Sequence, residues 1–143
     1  MPFVSITRLR VRTWRYIPRF LWHALASQRQ LKRADGVIRA ALFPEIGRGV
    51  FWTASAWIDQ AMMKRFRDTG SHKSAMPVLL DICDEASVAH WEQETDRLPE
   101  PAEMLERIRS IGRLSKVRHP SAGQQSGQTV PDGRPPRPAR PVI

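Results

Sequence analysis

The chain has a single cysteine, a single tyrosine, and no long apolar run among its 143 residues. With only Cys83, no intrachain disulfide can form, which suits a reducing compartment and leads us to expect a cytoplasmic protein. A lone thiol of this kind is read as a small core residue rather than a nucleophile. No stretch approaches the ~20 apolar residues of a membrane span, and Met1–Arg8 lacks the basic-then-apolar pattern of a signal peptide. Neither CxxC nor HxxxH spacing occurs, so no metal site is expected. Gly47 and Gly49 flank Arg48 without a phosphate-loop pattern and read as a hairpin turn. Acidic residues are scarce at one end: residues 1–48 carry ten Lys/Arg against two Asp/Glu, residues 49–117 nine against eleven, and residues 118–143 four against one, for a net charge of +9. Such a basic end can attract nucleic acid, anionic lipid or an anionic ligand. It is also common in proteins that touch none of these, and nucleic-acid binding is not expected.

The pattern of what is present alternates strand and helix. Residues 3–12 have strand periodicity, with Leu9 and Val11 on one face and Arg8, Arg10 and Arg12 on the other. Val4 and Ile6 share the arginine face, which therefore turns from apolar to basic along its length. Residues 15–34 read as a helix with one apolar stripe through Ile17, Phe20, Leu21, Ala24, Leu25, Gln28 and Leu31, ended by Gly36. Strands are expected over 37–43 and 50–58, forming a hairpin. Asp59 caps a helix over 60–68, Gly70 breaks it, and 73–83 resumes helically with Pro77 in its first turn. Residues 86–93 give a fourth strand, 101–111 a further helix, and 113–117 a short fifth strand. Residues 120–143 hold six of the twelve prolines and little to bury, so a disordered Pro/Arg-rich tail is expected after a folded domain of residues 1–119. Its run from Arg134 to Pro138 can also be read as a polyproline ligand.

The order is βαββαβ, an α+β ferredoxin-like fold with a four-stranded antiparallel sheet and an extra C-terminal helix and short strand. One sheet face packs on helices. The other would expose aromatic and apolar groups, so a homodimer is expected to cover it.

Several segments carry a family resemblance: Phe3-Val-Ser-Ile-Thr-Arg-Leu-Arg-Val-Arg12, Phe20-Leu-Trp-His-Ala-Leu25, Gly70-Ser-His-Lys-Ser-Ala-Met-Pro77, Ala86-Ser-Val-Ala-His-Trp91 and Gly112-Arg-Leu-Ser-Lys-Val-Arg-His-Pro-Ser121. Together they resemble the antibiotic-biosynthesis-monooxygenase-like branch of the dimeric α+β barrel superfamily, with a closer likeness to an uncharacterised bacterial group similar to spheroidene monooxygenase. The resemblance covers residues 3–121. It implies a small hydrophobic ligand and an oxygenase that works either without a cofactor or with haem. Haem-degrading members place an axial histidine near the start of the second main helix, and His72 falls at that position.

Read by their chemistry, the candidates are these. His72 can ligate haem iron or transfer a proton near neutral pH, or simply hydrogen-bond backbone at the Gly70 break. Trp52 and Trp57, on a strand, suit the wall of a pocket for a flat substrate, or else the core; Trp91 invites the same two readings. His23 and His90 are further substrate-binding candidates. Arg8 and Arg10 can hold a haem propionate or another anionic group. They can equally pair with Glu92, Glu94 or Asp96, or with the cluster Asp81, Asp84 and Glu85. A non-enzymatic ligand-binding member of the fold, or a basic adaptor for an anionic partner, remains the alternative function.

Overall fold

The computed structural model describes residues 1–137 and 140–143. Strand β1 (Phe3–Val11) leads through a 3-10 turn into α1 (Ile17–Lys32), with Pro18 in its first turn. Strand β2 (Val37–Glu45) and β3 (Val50–Trp57) follow as a hairpin, then α2 (Gln60–Arg67), α3 (Gly70–Ile82) and β4 (Cys83–Glu92). Helix α4 (Pro101–Ile111), the two-residue strand β5 (Arg113–Leu114), a short helix α5 (Ala122–Gln125) and the two-residue β6 (Arg140–Pro141) complete the described chain. The sheet runs β5-β4-β1-β3-β2-β6 and is antiparallel throughout. The expected four strands form its body, and β5 and β6 extend its two edges.

Local chemistry explains most of these boundaries. Gly36, at φ +83°, takes the left-handed turn after α1 that a side chain would resist. Asp59 accepts a hydrogen bond from the Met62 backbone and caps α2. Two boundaries differ from the sequence expectation. Helix α3 begins at Gly70 rather than residue 73, so Pro77 lies inside it and one helical hydrogen bond is missing there. Strand β4 begins at Cys83 rather than Ala86, so Cys83, Asp84 and Glu85 are strand residues and not a helix end. The reason lies across the sheet, where Arg8 and Arg10 on β1 receive the two carboxylates.

Alternation divides β1 as its periodicity predicts. Phe3, Ser5, Thr7 and Leu9 face α1, α2 and α3. Val4, Ile6 and Arg8 face the other way, into a core with Trp52, Ala54, Trp91, Met104 and Ile108. That second face is the one expected to need a partner subunit. It is instead covered within the chain, by α4 through Met104 and Ile108 and by Val130 of the C-terminal segment. The premise for a twofold partner on this face therefore does not hold.

The C-terminal segment, expected to be disordered, is seated on the sheet where it is described. Ser121 donates its hydroxyl to Glu85, Gln124 bonds both the N–H and the carbonyl of Ala86, and Ser87 donates to the Thr129 carbonyl. Asp132 bridges Arg8 and Arg48. Composition missed this because the segment is held by polar groups on partners far away in sequence. In the Pro-rich run Pro136 is buried and Arg137 pairs with Glu45; Pro138 lies outside the described residues. Among the described residues no helix is long and apolar enough to cross a membrane.

Candidate functional site

Between the sheet and α1–α3 lies a cavity of about 350 Å³. Its floor is set by sheet register. Thr7 lies opposite Thr53 and Val88, and Ser5 opposite Ser55 and His90. Cross-strand partners share a face, so four small hydroxyl side chains occupy the middle of the sheet where a core would normally place large apolar ones. The hollow follows from those short side chains. Phe20, Ala24, Leu31, Met76 and Leu79 close it from the helices.

Three of the four histidines, His23, His72 and His90, line this cavity. His72 is the most constrained. It is the third residue of α3, and Gln30 on α1 clamps the turn that carries it. The Gln30 side-chain amide donates to the carbonyls of Phe66 and Thr69 at 3.0 and 2.8 Å, while its oxygen accepts the His72 backbone N–H at 2.7 Å. The His72 Nδ1 lies 3.1 Å from the Arg67 carbonyl. A carbonyl only accepts, so Nδ1 carries the hydrogen and Nε2 is left with its lone pair. Burial lowers the His72 pKa below the ordinary imidazole value of 6.5; the Arg67 carbonyl works against that, and the Arg67 guanidinium adds to it. The ring is therefore neutral at pH 7. Phe66 packs on it with ring centroids 5.0 Å apart.

His90 is lowered too, first by burial and then by the positive charges of Arg113, Arg67 and Lys64. Its ring leans on Phe3 at 5.4 Å between centroids. Arg67 and Arg113 both line the cavity. Arg113, on β5, lies opposite Val88, two residues before His90 on β4. The chemistry assembled here is a chamber with a hydroxyl floor and apolar helix walls, the imidazoles of His72 and His90, and the guanidinium groups of Arg113 and of Arg67, the latter paired with Asp68.

Other expected site residues lie elsewhere. Arg8 and Arg10 are on the far side of the sheet. Arg8, 1% exposed, binds Glu85 at 2.8 Å and Asp132 at 3.3 Å. Arg10 makes a two-pronged pair with Asp84 at 3.0 and 2.7 Å. Neither reaches the cavity, so the expectation that they bind a cofactor is corrected. Their partners are the Asp84–Glu85 cluster, one of the readings the sequence left open, and not Glu92, Glu94 or Asp96. Trp52 is likewise corrected: it faces the α4 side, with Trp91. Trp57 faces the helices but is sealed under Phe66 and Met63, with its indole N–H donated to Ser55 at 2.9 Å. Neither tryptophan lines the cavity. Cys83 is fully buried, and burial, with Asp84 nearby, pushes its thiol up to about 12, which leaves it unreactive. Among the described residues no three His, Cys, Asp or Glu side chains gather as a metal-binding group.

Haem can be tested against this geometry. His72 offers a free Nε2, but the arginines expected at the propionates are across the sheet and already paired. The donor set expected for haem, His72 with Arg8 and Arg10, is therefore not brought together.

A second hollow, of about 530 Å³, opens to solvent between α1 and α2 and is edged by Arg29, Arg33 and Arg65. It holds no acid–base pair comparable to the histidines.

No family model matches the sequence, and no curated protein matches it. Solved structures do match the fold. The protein Rv0793 from Mycobacterium tuberculosis aligns with TM-score 0.60 at 11% identity, over 66% of this chain and 97% of that one. A structure described as an antibiotic biosynthesis monooxygenase gives 0.58 at 14% identity, over 65% and 99%. SnoaB, a cofactor-independent oxygenase from Streptomyces nogalater, gives 0.54 at 15% identity, over 69% and 98%. The fold is that of the antibiotic biosynthesis monooxygenase domains. The chain shares that fold with these structures; the narrower likeness to spheroidene monooxygenase is not shown by these matches. Their shares of the chain leave about a third of it unmatched in each case.

Proposed function

We propose that the chain binds a small, flat, hydrophobic molecule in the cavity and oxygenates it without a cofactor. The observation that carries this reading is the orientation of His72: a half-buried imidazole at the cavity, its pKa lowered, with its hydrogen committed to a backbone carbonyl and Nε2 free to accept a proton. The fold likeness to SnoaB, a cofactor-independent oxygenase, supports the same reading. In this scheme His72 Nε2 takes a proton from an acidic methylene of an activated aromatic substrate. The carbanion gives an electron to dioxygen and combines with the resulting superoxide. The peroxide takes up a proton, and loss of water from the hydroperoxide leaves a carbonyl. In balance, one methylene group and one dioxygen give one ketone and one water. Arg67 is already paired with Asp68 at 2.9 and 3.1 Å, so the guanidinium of Arg113 is the group that favours the anionic form of the substrate.

Anthrone, a three-ring ketone with an acidic methylene, is a suitable probe. Oxygen uptake and quinone absorbance are expected with the wild type. The His72→Ala variant should lose about 10²-fold or more of that rate, the usual weight of a positioned proton acceptor. Binding of the probe with no turnover by the wild type would instead favour a ligand-binding protein on the same fold. That second reading is favoured by one observation, the absence from the cavity of any carboxylate to assist His72 among the described residues.

A further inference from the structure

The outer face of α1 is unlike the rest of the surface. Trp14 and Trp22 are 75% and 71% exposed, and Leu25 is 53% exposed. Pro18, Trp22 and Leu25 recur at helical spacing on one side of α1, with Trp14 in the turn just before it. Arg15, Arg19, Arg29, Lys32 and Arg33 surround and interrupt this apolar strip. Helix α1 contains no acidic residue. Among the described residues none of those five cations has a carboxylate within ion-pair distance. Arg15 sits 5.9 Å from the Trp14 ring centre.

Exposed tryptophans cost solubility unless something covers them, and unpaired arginines among them exclude a purely apolar partner. Indole rings favour the boundary between lipid headgroups and acyl chains, and arginines around them favour an anionic surface. We infer that α1 docks this protein on an anionic lipid bilayer, inserting Trp14, Trp22 and Leu25 at the headgroup level while the arginines contact lipid phosphates. The opposite face of the same helix walls the cavity through His23, Ala24 and Ser27. Docking would therefore hold the cavity about 10 Å, one helix diameter, from the lipid. A sparingly soluble ligand would be within reach. The inference does not depend on the oxygenase chemistry.

The test uses the full chain with phosphatidylcholine vesicles made with and without phosphatidylglycerol. Trp52, Trp57 and Trp91 are 2%, 1% and 8% exposed, so any lipid-dependent blue shift in indole emission reports Trp14 and Trp22. The wild type should float with the anionic vesicles and show that shift, and bind neutral vesicles far less. Trp14→Ser with Trp22→Ser should remove the shift and weaken flotation; both positions are exposed, so the fold is expected to stand. Replacing Arg15, Arg19 and Arg29 by Gln should weaken binding about a hundredfold at low salt, from roughly one kcal/mol per basic residue. Wild-type protein that ignores anionic vesicles overturns the inference. So does binding that the tryptophan substitutions leave unchanged. Salt-dependent capture of an oligonucleotide without vesicle binding would overturn it in favour of nucleic acid. A dimer that the tryptophan substitutions convert to monomer would overturn it in favour of a second copy.

Discussion

Burial of His72 and His90 as neutral rings makes the fold sensitive to acid. Both have folded-state pKa values below the ordinary 6.5. Between 6.5 and those lower values the unfolded chain binds more protons than the folded one. Stability is therefore fully present above pH 6.5 and falls as pH drops through the folded-state values. Urea denaturation from about pH 8 to pH 5 is expected to show this decline, and His72→Gln should flatten it. A ring titration by NMR with His72 at or above the ordinary value would contradict the burial argument. Gln30 permits a second check. Its side chain makes three hydrogen bonds to the turn between α2 and α3. Gln30→Leu should cost about 1 kcal/mol, since the three groups it releases are partly open to water, and it should cut probe turnover as His72 loses its fixed position. His23 and His90 were readable in the sequence because each stands out in an apolar helix or strand pattern, and His72 because it follows the Gly70 break. Gln30, Arg67 and Arg113 were not, because their roles arise from contacts between residues far apart along the chain. The hydroxyl floor left a trace, small polar residues alternating through Ser5–Thr7 and Thr53–Ser55, but its meaning depends on strand register.

The strand and helix sequence was legible nearly end to end, since period-2 and 3-4 spacing is strong in each segment. The C-terminal segment was not. Its prolines and low apolar content pointed to disorder, while its hold on the sheet rests on a few polar contacts with buried strand residues. Arg8 is central to that hold. It is fully buried against Glu85, and its Nε lacks a hydrogen-bond partner among the described residues. Arg8→Met should leave buried Glu85 with Arg10, at 3.3 Å, as its remaining countercharge and cost up to about 3 kcal/mol, read as a lower denaturation midpoint. Replacing both, as Arg8→Met with Glu85→Leu, should recover much of the loss. Asp132 is held below the usual carboxylate range: burial opposes this, but the Arg134 backbone N–H and the charges of Arg8 and Arg48 prevail. Its contribution is present above that usual range and lost as pH falls through the folded value. Asp132→Asn should therefore release the segment at neutral pH much as acid does, seen as faster proteolysis after residue 119.

Because α4 and Val130 already seat against the far sheet face, the full chain is expected to scatter light as a single copy in detergent-free buffer. A mass of two chains, unchanged by Trp14→Ser with Trp22→Ser, would mean that this face pairs after all. The four hydroxyl side chains under the helices have one more consequence. They keep the interior hollow by omission, and the molecule forgoes the packing that carbon would supply there. Bulkier replacements such as Ser5→Val with Thr7→Ile would fill the space and add up to about 0.8 kcal/mol for each methylene well accommodated. The result would be a hardier molecule that melts later and has no room left for a guest.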